Sequence, residues 1–445
     1  MNIRSTLVMG LILAVGFTAS VCNENGCQAQ GPATGTSNEW IESNLTRLIE
    51  DYVHLHKNPE LSFYEEKTAA YVSQQLTDAG FDVTENIGGF GLVGVMENGN
   101  GPTVLVRTDL DGLPVVEETQ LPYASQVKVK DADGIEVGTM HACGHDIHMT
   151  CLIGAARYLN EHRDEWSGRL LFLGQPAEER GSGAKAMIDD GLFDRFGKPD
   201  YALALHCSAN LPTGVVALRG GYAMANVDSV DIEIFGRGGH GAYPHTTIDP
   251  VVVAARLIVD IQSIVSREIN PTQPAVITVG SIHAGTKHNI ISDKCHLQLT
   301  VRSYADDVRE HLLSAIQRKA KAAADSAGAP APEITISEGT PSLANDEELT
   351  ARIRSVFETT LGAEHVSTPD MEMGGEDFSL FGRNGIPSLM FRLGTIEPRK
   401  LAQWKADGIT PPSLHSSKYA PEPQRAIETG VTAMSAAIID LLKNR

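Results

Sequence analysis

Residues 103–111, Thr-Val-Leu-Val-Arg-Thr-Asp-Leu-Asp, run from an almost wholly apolar segment into two aspartates, Asp109 and Asp111. An apolar run without polar alternation is typical of a strand that is buried on both faces of a parallel sheet. Two further runs, at residues 169–173 and 201–205, lead in the same way into Glu178-Glu179 and into His206. Because sites in open α/β sheets gather at the carboxyl ends of the strands, we expect these polar residues at one edge.

Helical patterns separate these runs, which predicts an α/β fold with a mostly parallel twisted sheet and helices on both faces. Another helix, ahead of these runs in the chain, is expected to start at a capping box in residues 62–65. From residue 225 to 340 the order becomes βαββαβ with half-exposed strands, which indicates an inserted α+β ferredoxin-like domain whose edge strand is a natural dimerisation surface. The catalytic domain is therefore predicted at residues 38–224 and 341–445.

The length of 445 residues is sufficient for two domains, and the net charge of −20 argues against a nucleic-acid partner, which requires a basic face. Residues 1–30 contain Arg4, an apolar run over residues 7–17 and small residues after it. This composition predicts a secretory signal peptide, and hence an exported, periplasmic or secreted protein that is free of the membrane after cleavage. A retained N-terminal membrane anchor is the alternative.

The segment His141-Ala142-Cys143-Gly144-His145-Asp146-Ile147-His148 concentrates three imidazoles, a thiol and a carboxylate in eight residues. Burying such groups is costly unless each is paired, and a metal ion pairs thiolate and imidazole directly. A structural zinc in a polar loop is the simpler alternative. Cys143 and His145 supply only two close ligands, however, and distant ligands are more typical of a catalytic site.

The donors expected at the strand ends exceed what one zinc ion needs, which favours a site for two divalent metals. Their nitrogen, oxygen and sulfur atoms are compatible with zinc, manganese, nickel or cobalt. Glu178 and Glu179 would diverge at a strand end, so that one binds metal and the other acts as general base; a solvated charge run is the alternative. The donors are Asp109, Asp111, Cys143, His145, Glu178, Glu179, His206 and His415.

Seven short segments, read together, resemble the motif series of the metal-dependent aminoacylase/carboxypeptidase (peptidase) family. The similar branch contains hippurate hydrolases, indole-acetyl-amino-acid hydrolases and N-acyl-amino-acid amidohydrolases. The resemblance extends from about residue 40 to about residue 440, in the motif order of the family. The segments are RTDLDGLPV, MHACGHDIH, GQPAEER, ALHC, GRGGHGAYPH, GGEDF and LHSS.

The resemblance implies a role for most of the donors. Glu178 would be the general base, and Asp111 would orient a metal ligand. Asp109 stands where many relatives outside this branch have a histidine ligand, so its role is left open. The resemblance implies as ligands of the two metals Cys143, His145, Glu179, His206 and His415.

For the inserted domain, the resemblance implies that His240 reaches the active site of a partner subunit and stabilises the tetrahedral oxyanion. Asn289 and Arg302 would hold the free carboxylate of the substrate; an exposed strand arginine is the alternative for Arg302. The expected activity is hydrolysis of N-acyl-amino acids to a carboxylic acid and an amino acid, through a water bridging the metals. The alternatives are a dipeptidase or carboxypeptidase with the same site, and a catalytically silent metal-dependent binding protein.

Overall fold

The computed structural model of the chain describes residues 35–131 and 134–443. The predicted signal peptide lies outside the described residues. The strands of the described part are β1 (Asp82–Ile87), β2 (Gly91–Asn98), β3 (Thr103–Asp109), β4 (Lys128–Lys130), β5 (Glu136–Gly138), β6 (Gly168–Gln175), β7 (Tyr201–Pro212), β8 (Val216–Ala217), β9 (Gly221–Met224), β10 (Asn226–Phe235), β11 (Gly239–His240), β12 (Ala275–Ala284), β13 (Ile290–Ile291), β14 (Lys294–Ser303), β15 (Glu333–Glu338), β16 (Leu343–Asn345), β17 (Val366–Ser367) and β18 (Ser388–Ile396).

Eleven α-helices accompany these strands in the same ranges of the chain. None of them is long and apolar enough to cross a membrane. The helices are α1 (Gly35–Lys57), α2 (Glu66–Asp78), α3 (His145–Glu161), α4 (Gly183–Asp189), α5 (Leu192–Phe196), α6 (Pro250–Ser263), α7 (Asp306–Ser326), α8 (Glu347–Leu361), α9 (Ser379–Arg383), α10 (Pro398–Ala406) and α11 (Pro423–Leu442).

The main sheet has the strand order β1-β2-β6-β3-β7-β18-β8-β17. Its centre is parallel, because β3 pairs in parallel with β6 and β7, and β7 pairs in parallel with β18. One apolar core joins this sheet to α1, α2, α3, α8 and α11, and a second core joins it to α4, α5 and α9. The predicted α/β class, with a mostly parallel sheet and helices on both faces, is confirmed.

A second sheet is built from four antiparallel strands in the order β12-β14-β10-β15. Helices α6 and α7 pack on it around a core that contains Ile232, Leu257 and Leu312. The chain order βαββαβ and this strand order are those of a ferredoxin-like unit, as the sequence predicts. The domain boundaries at residues 225 and 340 stay a prediction, as does the use of this unit for dimerisation.

The predicted capping box at residues 62–65 is wrong. Glu65 is the N-cap of α2 but makes no side-chain cap, and Glu60 Oε2 instead accepts hydrogen bonds from two backbone N–H groups of the first turn, at 2.9 and 2.8 Å. Ser62 Oγ donates to Asp111 Oδ2 at 2.7 Å. The serine is therefore engaged by the polar edge of the main sheet rather than by the helix.

Candidate metal centre

The polar residues of the strand ends meet at one edge of the main sheet. Strand β3 ends at Asp109, β7 carries His206, and a short 3₁₀ turn with Glu178 and Glu179 follows β6. His415 comes from the loop between α10 and α11. Short connections after parallel strands thus place donors from distant parts of the chain at one edge of the sheet.

Gly144 sets the geometry at the start of α3. Its φ of +84° lies in the left-handed region, and a Cβ at this position would come within 2.8 Å of Cys207 Sγ. Glycine avoids both the backbone strain and the collision. It turns the chain so that Cys143 before it and His145 after it, the first residue of α3, both face the same buried space.

Five side chains form two overlapping groups of donors. Cys143, His145 and His206 form one group, and Cys143, Glu179 and His415 form the other, with the donor atoms of each group within 4.8 Å of one another. The Sγ of Cys143 lies 3.6 Å from Nε2 of His206, and Nε2 of His415 lies 3.5 Å from Oε1 of Glu179. Two triplets that share one thiol would together be able to hold two divalent cations.

The chemistry of these donors fits bound cations. His145 Nε2 and Glu179 Oε1 are buried polar atoms without a hydrogen-bond partner in the described part of the chain. Burial raises the pKa of the Cys143 thiol well above its ordinary value, and burial also raises the pKa of Glu179 to about 7. A nearby divalent cation reverses both effects, because it favours thiolate and carboxylate. All five side chains predicted as metal ligands are brought together, and their coordination stays a prediction.

Hydrogen bonds from the opposite ring nitrogens orient two of the imidazoles. His145 Nδ1 donates to the carbonyl oxygen of Asp111 at 2.8 Å, and His206 Nδ1 donates to that of Cys207 at 2.8 Å. Both Nε2 atoms are thereby directed at the centre. The Asp111 side chain accepts hydrogen bonds from Ser62 and from the backbone N of Glu179 (3.1 Å), so it fixes the turn that carries the glutamates.

Glu178 lies beside the donor cluster. Its carboxylate is within 4.8 Å of donor atoms of His145 and Glu179, and also of Glu376 and Asp377. Burial and then the charge of Glu376 raise the pKa of Glu178 well above its ordinary value. A buried carboxyl group with a raised pKa is suited to taking up and returning a proton.

A buried arginine neutralises the acidic groups behind Glu178. Arg107 donates to Asp109 (2.8 Å), Glu376 (2.8 Å), Asp377 (3.1 Å) and Gln175 (3.0 Å). No site role was predicted for Arg107, Glu376 or Asp377, although they lie in the segments RTDLDGLPV and GGEDF. The sequence feature that could have identified them is the arginine within the apolar strand β3. An arginine buried in such a strand needs carboxylates as partners.

Asp109 belongs to this network and has a position next to the metal donors. It accepts from Arg107 Nη1 and from His148 Nδ1 (2.7 Å), and His145 Nε2 is 3.6 Å away. Burial alone would raise the pKa of Asp109, but His145, His148 and Arg107 outweigh it and hold the pKa well below its ordinary value. His148 Nε2 in turn accepts from the backbone N of Cys207 at 2.8 Å, which ties α3 to β7.

The residues predicted to hold substrate separate into two places. Arg302 lines the same cavity of about 540 Å³ as Cys143 and Glu178, and its Nη1 donates to the carbonyl oxygen of Met373 at 2.6 Å. His240 and Asn289 are exposed and are not among the residues that line this cavity. They are neighbours of each other, because Gly241 N donates to Asn289 O at 2.9 Å. The action of His240 in a partner subunit stays a prediction, as does the binding of the substrate carboxylate by Asn289.

The fold and this cluster define a two-sheet α/β protein with a candidate dinuclear metal centre at the carboxyl edge of its main sheet. The chain belongs to Peptidase family M20/M25/M40, whose model matches residues 105–407. The family resemblance expected from the motifs is confirmed. The protein is an amidohydrolase of this metal-binding family.

Three relatives illustrate the similarity in sequence. YhaA of Bacillus subtilis is 38% identical over 349 residues, which cover 78% of this chain and 85% of the relative. The N-acetyl-L-cysteine deacetylase of the same organism is 36% identical over 346 residues, which cover 76% of this chain and 79% of the relative. The hippurate hydrolase of Campylobacter jejuni is 43% identical over 260 residues, which cover 58% of this chain and 64% of the relative.

Two solved structures share the fold. A Staphylococcus aureus protein superposes with a TM-score of 0.81 at 29% identity, covering 91% of this chain and 99% of the other. The YXEP protein of Bacillus subtilis, described as a dinuclear metal binding peptidase from the M20 family, has a TM-score of 0.74 at 27% identity, covering 90% and 99%. A dinuclear metal centre is thus described for one protein of this family with the same fold.

The predicted export of the protein is wrong in the light of these comparisons. The chain matches Bacillus subtilis enzymes named as deacetylases of N-acetylcysteine, at 36% and 34% identity, and neither name describes an exported or membrane-anchored enzyme. The prediction rested on the composition of residues 1–30 alone, and an apolar run behind one arginine is not specific to export. The periplasmic, secreted and membrane-anchored assignments are withdrawn.

Proposed function

We propose that this protein hydrolyses N-acyl-amino acids to a carboxylic acid and a free amino acid. The observation that carries the proposal is the pair of donor triplets sharing Cys143, with the buried carboxylate of Glu178 directly beside them. The names of relatives support the substrate class, since they include a hippurate hydrolase, N-acetylcysteine deacetylases and an N-acetyldiaminopimelate deacetylase.

The proposed centre binds two divalent cations through Cys143, His145, Glu179, His206 and His415. When bound, such a pair polarises the amide carbonyl and lowers the pKa of water towards about 7. Glu178 takes the proton from the attacking water and returns it to the departing amine. The raised pKa of Glu178 matches this exchange, because the base must hold the proton between the two steps.

The inserted unit is proposed to act as the lid, with residues 38–224 and 341–445 as the catalytic domain. Arg302 reaches the cavity from β14 and is proposed to hold the free carboxylate of the substrate. His240 and Asn289, which are exposed on another side, are proposed to complete the site of a second subunit in a homodimer. This arrangement gives a reason for their separation from the cavity of their own chain.

The test is metal analysis of the purified protein combined with turnover of hippurate, N-acetyl-methionine and an N-acetylated diamino acid. Two metal ions per chain and release of the free amino acid are expected. Dipeptides are the comparison substrates, because faster cleavage of dipeptides would indicate a peptidase instead. Full metal occupancy without turnover of any amide would contradict the proposal and favour a binding protein.

A further inference from the structure

Arg392 lies beside the metal donors on the floor of the cavity. In the parallel pairing of β18 with β7, Arg392 is the register partner of His206. Residues in register on neighbouring strands project to the same face of a sheet. Both residues line the cavity that also contains Glu178 and Arg302. The guanidinium of Arg392 is therefore held by the central sheet, next to a proposed metal ligand.

The internal partners of Arg392 leave most of its hydrogen-bonding capacity unused. Its Nη2 donates to Glu372 Oε2 at 2.6 Å and contacts Met224 Sδ at 3.0 Å. In the described part of the chain, Nε and Nη1 of Arg392 make no hydrogen bond. Neither of these two atoms is fully buried. Both atoms therefore keep some exposed surface and are available to a ligand.

The ion pair with Glu372 joins a buried partner to a half-exposed one. The Arg392 side chain is only 9% exposed, whereas that of Glu372 is 47% exposed. The half-exposed carboxylate of Glu372 can turn towards solvent, and another anion can then take its place beside the buried guanidinium. Arg302 is already proposed to hold the one carboxylate that every N-acyl-amino acid carries. A substrate with a single carboxylate would leave the second guanidinium of this cavity, that of Arg392, without a substrate group to bind.

We propose that Arg392 is a specificity residue that binds a second carboxylate of the substrate, displacing Glu372. The inference rests on the proposed function and narrows it to N-acyl-amino acids with two anionic groups. The second carboxylate can come from the amino acid, as in N-acetyl-glutamate, or from the acyl group, as in an N-succinyl-amino acid. A guanidinium fork binds either one by charge-assisted hydrogen bonds.

The experiment compares isosteric pairs of substrates on the metal-loaded enzyme. N-acetyl-glutamate is compared with N-acetyl-glutamine, and N-succinyl-leucine with its succinamide analogue. In one of the pairs kcat/KM should favour the carboxylate by about 10- to 100-fold, as expected for a hydrogen-bonded charge in a desolvated site. Arg392→Met should reduce this ratio towards one, mainly through KM, and Arg392→Lys should retain part of it.

Glu372→Gln is the matched variant that separates recognition from a structural role. If Arg392 binds substrate, removing its internal competitor should lower KM for the dicarboxylate, opposite to the effect of Arg392→Met. If the ion pair only anchors the loop of Glu372, both variants should lower activity on carboxylate and amide substrates equally. That outcome, or equal turnover within both pairs by the wild type, would overturn the inference.

The same four compounds can be titrated calorimetrically into a Glu178→Gln protein with and without Arg392→Met. Binding reports on Arg392 independently of hydrolysis, so the two proposals can fail separately. Absence of turnover of all N-acyl-amino acids contradicts the proposed function. Equal binding of carboxylate and amide compounds contradicts the role of Arg392. Thermal unfolding of each variant verifies that it is folded.

Discussion

The Sγ of Cys143 lies 3.6 Å from Nε2 of His206, although the two residues are 63 positions apart in the chain. Cys143 is also the one residue common to both donor triplets. The thiol would be available to both proposed cations, whereas each of the other four proposed ligands belongs to only one of these two triplets. His145 and Glu179 also form a third triplet with Glu178. Loss of Cys143 should therefore affect both proposed metal sites at once.

Cys143→Ala should lower the metal content below two ions per chain and abolish most activity. The physical reason is that both sites lose a soft anionic ligand. Metal analysis after dialysis and turnover of N-acetyl-methionine measure the result. Cys151→Ala is the control, because this buried cysteine of α3 belongs to neither triplet. Retention of both metals by Cys143→Ala would contradict the proposal that Cys143 serves both metal sites.

Glu178→Gln should keep both metals and lower kcat by about 10²- to 10⁴-fold, the usual contribution of a general base. The amide occupies the same volume but cannot accept a proton from water. Glu179→Gln is the companion variant, and it should instead lose metal, because Glu179 belongs to the second triplet. Undiminished turnover by the Glu178 variant would assign proton transfer to another group.

Asp111→Asn should weaken metal binding by about 10- to 100-fold, as is typical when the group that orients a metal ligand is altered. Asp111 accepts hydrogen bonds from Ser62 and from the backbone of Glu179. Ser62→Ala removes only one of these contacts and should have a smaller effect in the same direction. Competition with a chelator of known affinity measures both. A larger effect for Ser62→Ala would be inconsistent with this geometry.

Arg107→Met should lower the free energy of unfolding by about 3–5 kcal/mol, because it leaves buried carboxylates without their counter-charge. It should also lower activity, since Glu376 and Asp377 lie next to Glu178. Arg157→Met is a matched control: Arg157 is buried and pairs with Asp51 at 2.6 Å. Both variants should lose stability in denaturant titrations, but only the Arg107 variant should lose activity in the folded state.

His56 should make stability fall at alkaline pH. Burial alone lowers its pKa, but hydrogen bonds to Asp146 (2.6 Å) and Glu117 (3.1 Å) outweigh burial and raise the pKa to about 9. A pKa raised in the folded state stabilises the protein fully below the unfolded value of about 6.5, and this stabilisation is lost as pH rises through 9.

The measurement is the free energy of unfolding of the wild type and His56→Gln between pH 6 and 10. The difference in the free energy of unfolding between the two proteins should shrink by about 3 kcal/mol over this range, because folding raises the pKa of His56 from 6.5 to about 9. A difference independent of pH would show that His56 is not charged in the folded protein. Thr119→Ala, which alters the surroundings of Glu117 but not the imidazole, should leave the pH dependence in place.

The strands and helices near the site were predictable because their signals are local. The apolar run of β3 predicts a buried strand because hydropathy is a property of the segment itself. The capping box failed for the opposite reason. Ser62 meets the local requirement for a cap, but Asp111, 49 positions away, takes its hydroxyl. Arg107 was missed because its partners, Glu376 and Asp377, follow it by 269 and 270 positions.

The sequence by itself determined the α/β class, the order of the inserted elements and the set of donor residues, because periodicity and residue chemistry are written along the chain. Only the tertiary structure decided which donors share a centre, that Arg302 and Arg392 face the same cavity, and that His240 and Asn289 do not. These relationships depend on strand order and register in the two sheets. Pairings between distant strands are fixed by packing of the whole core, which no local segment encodes.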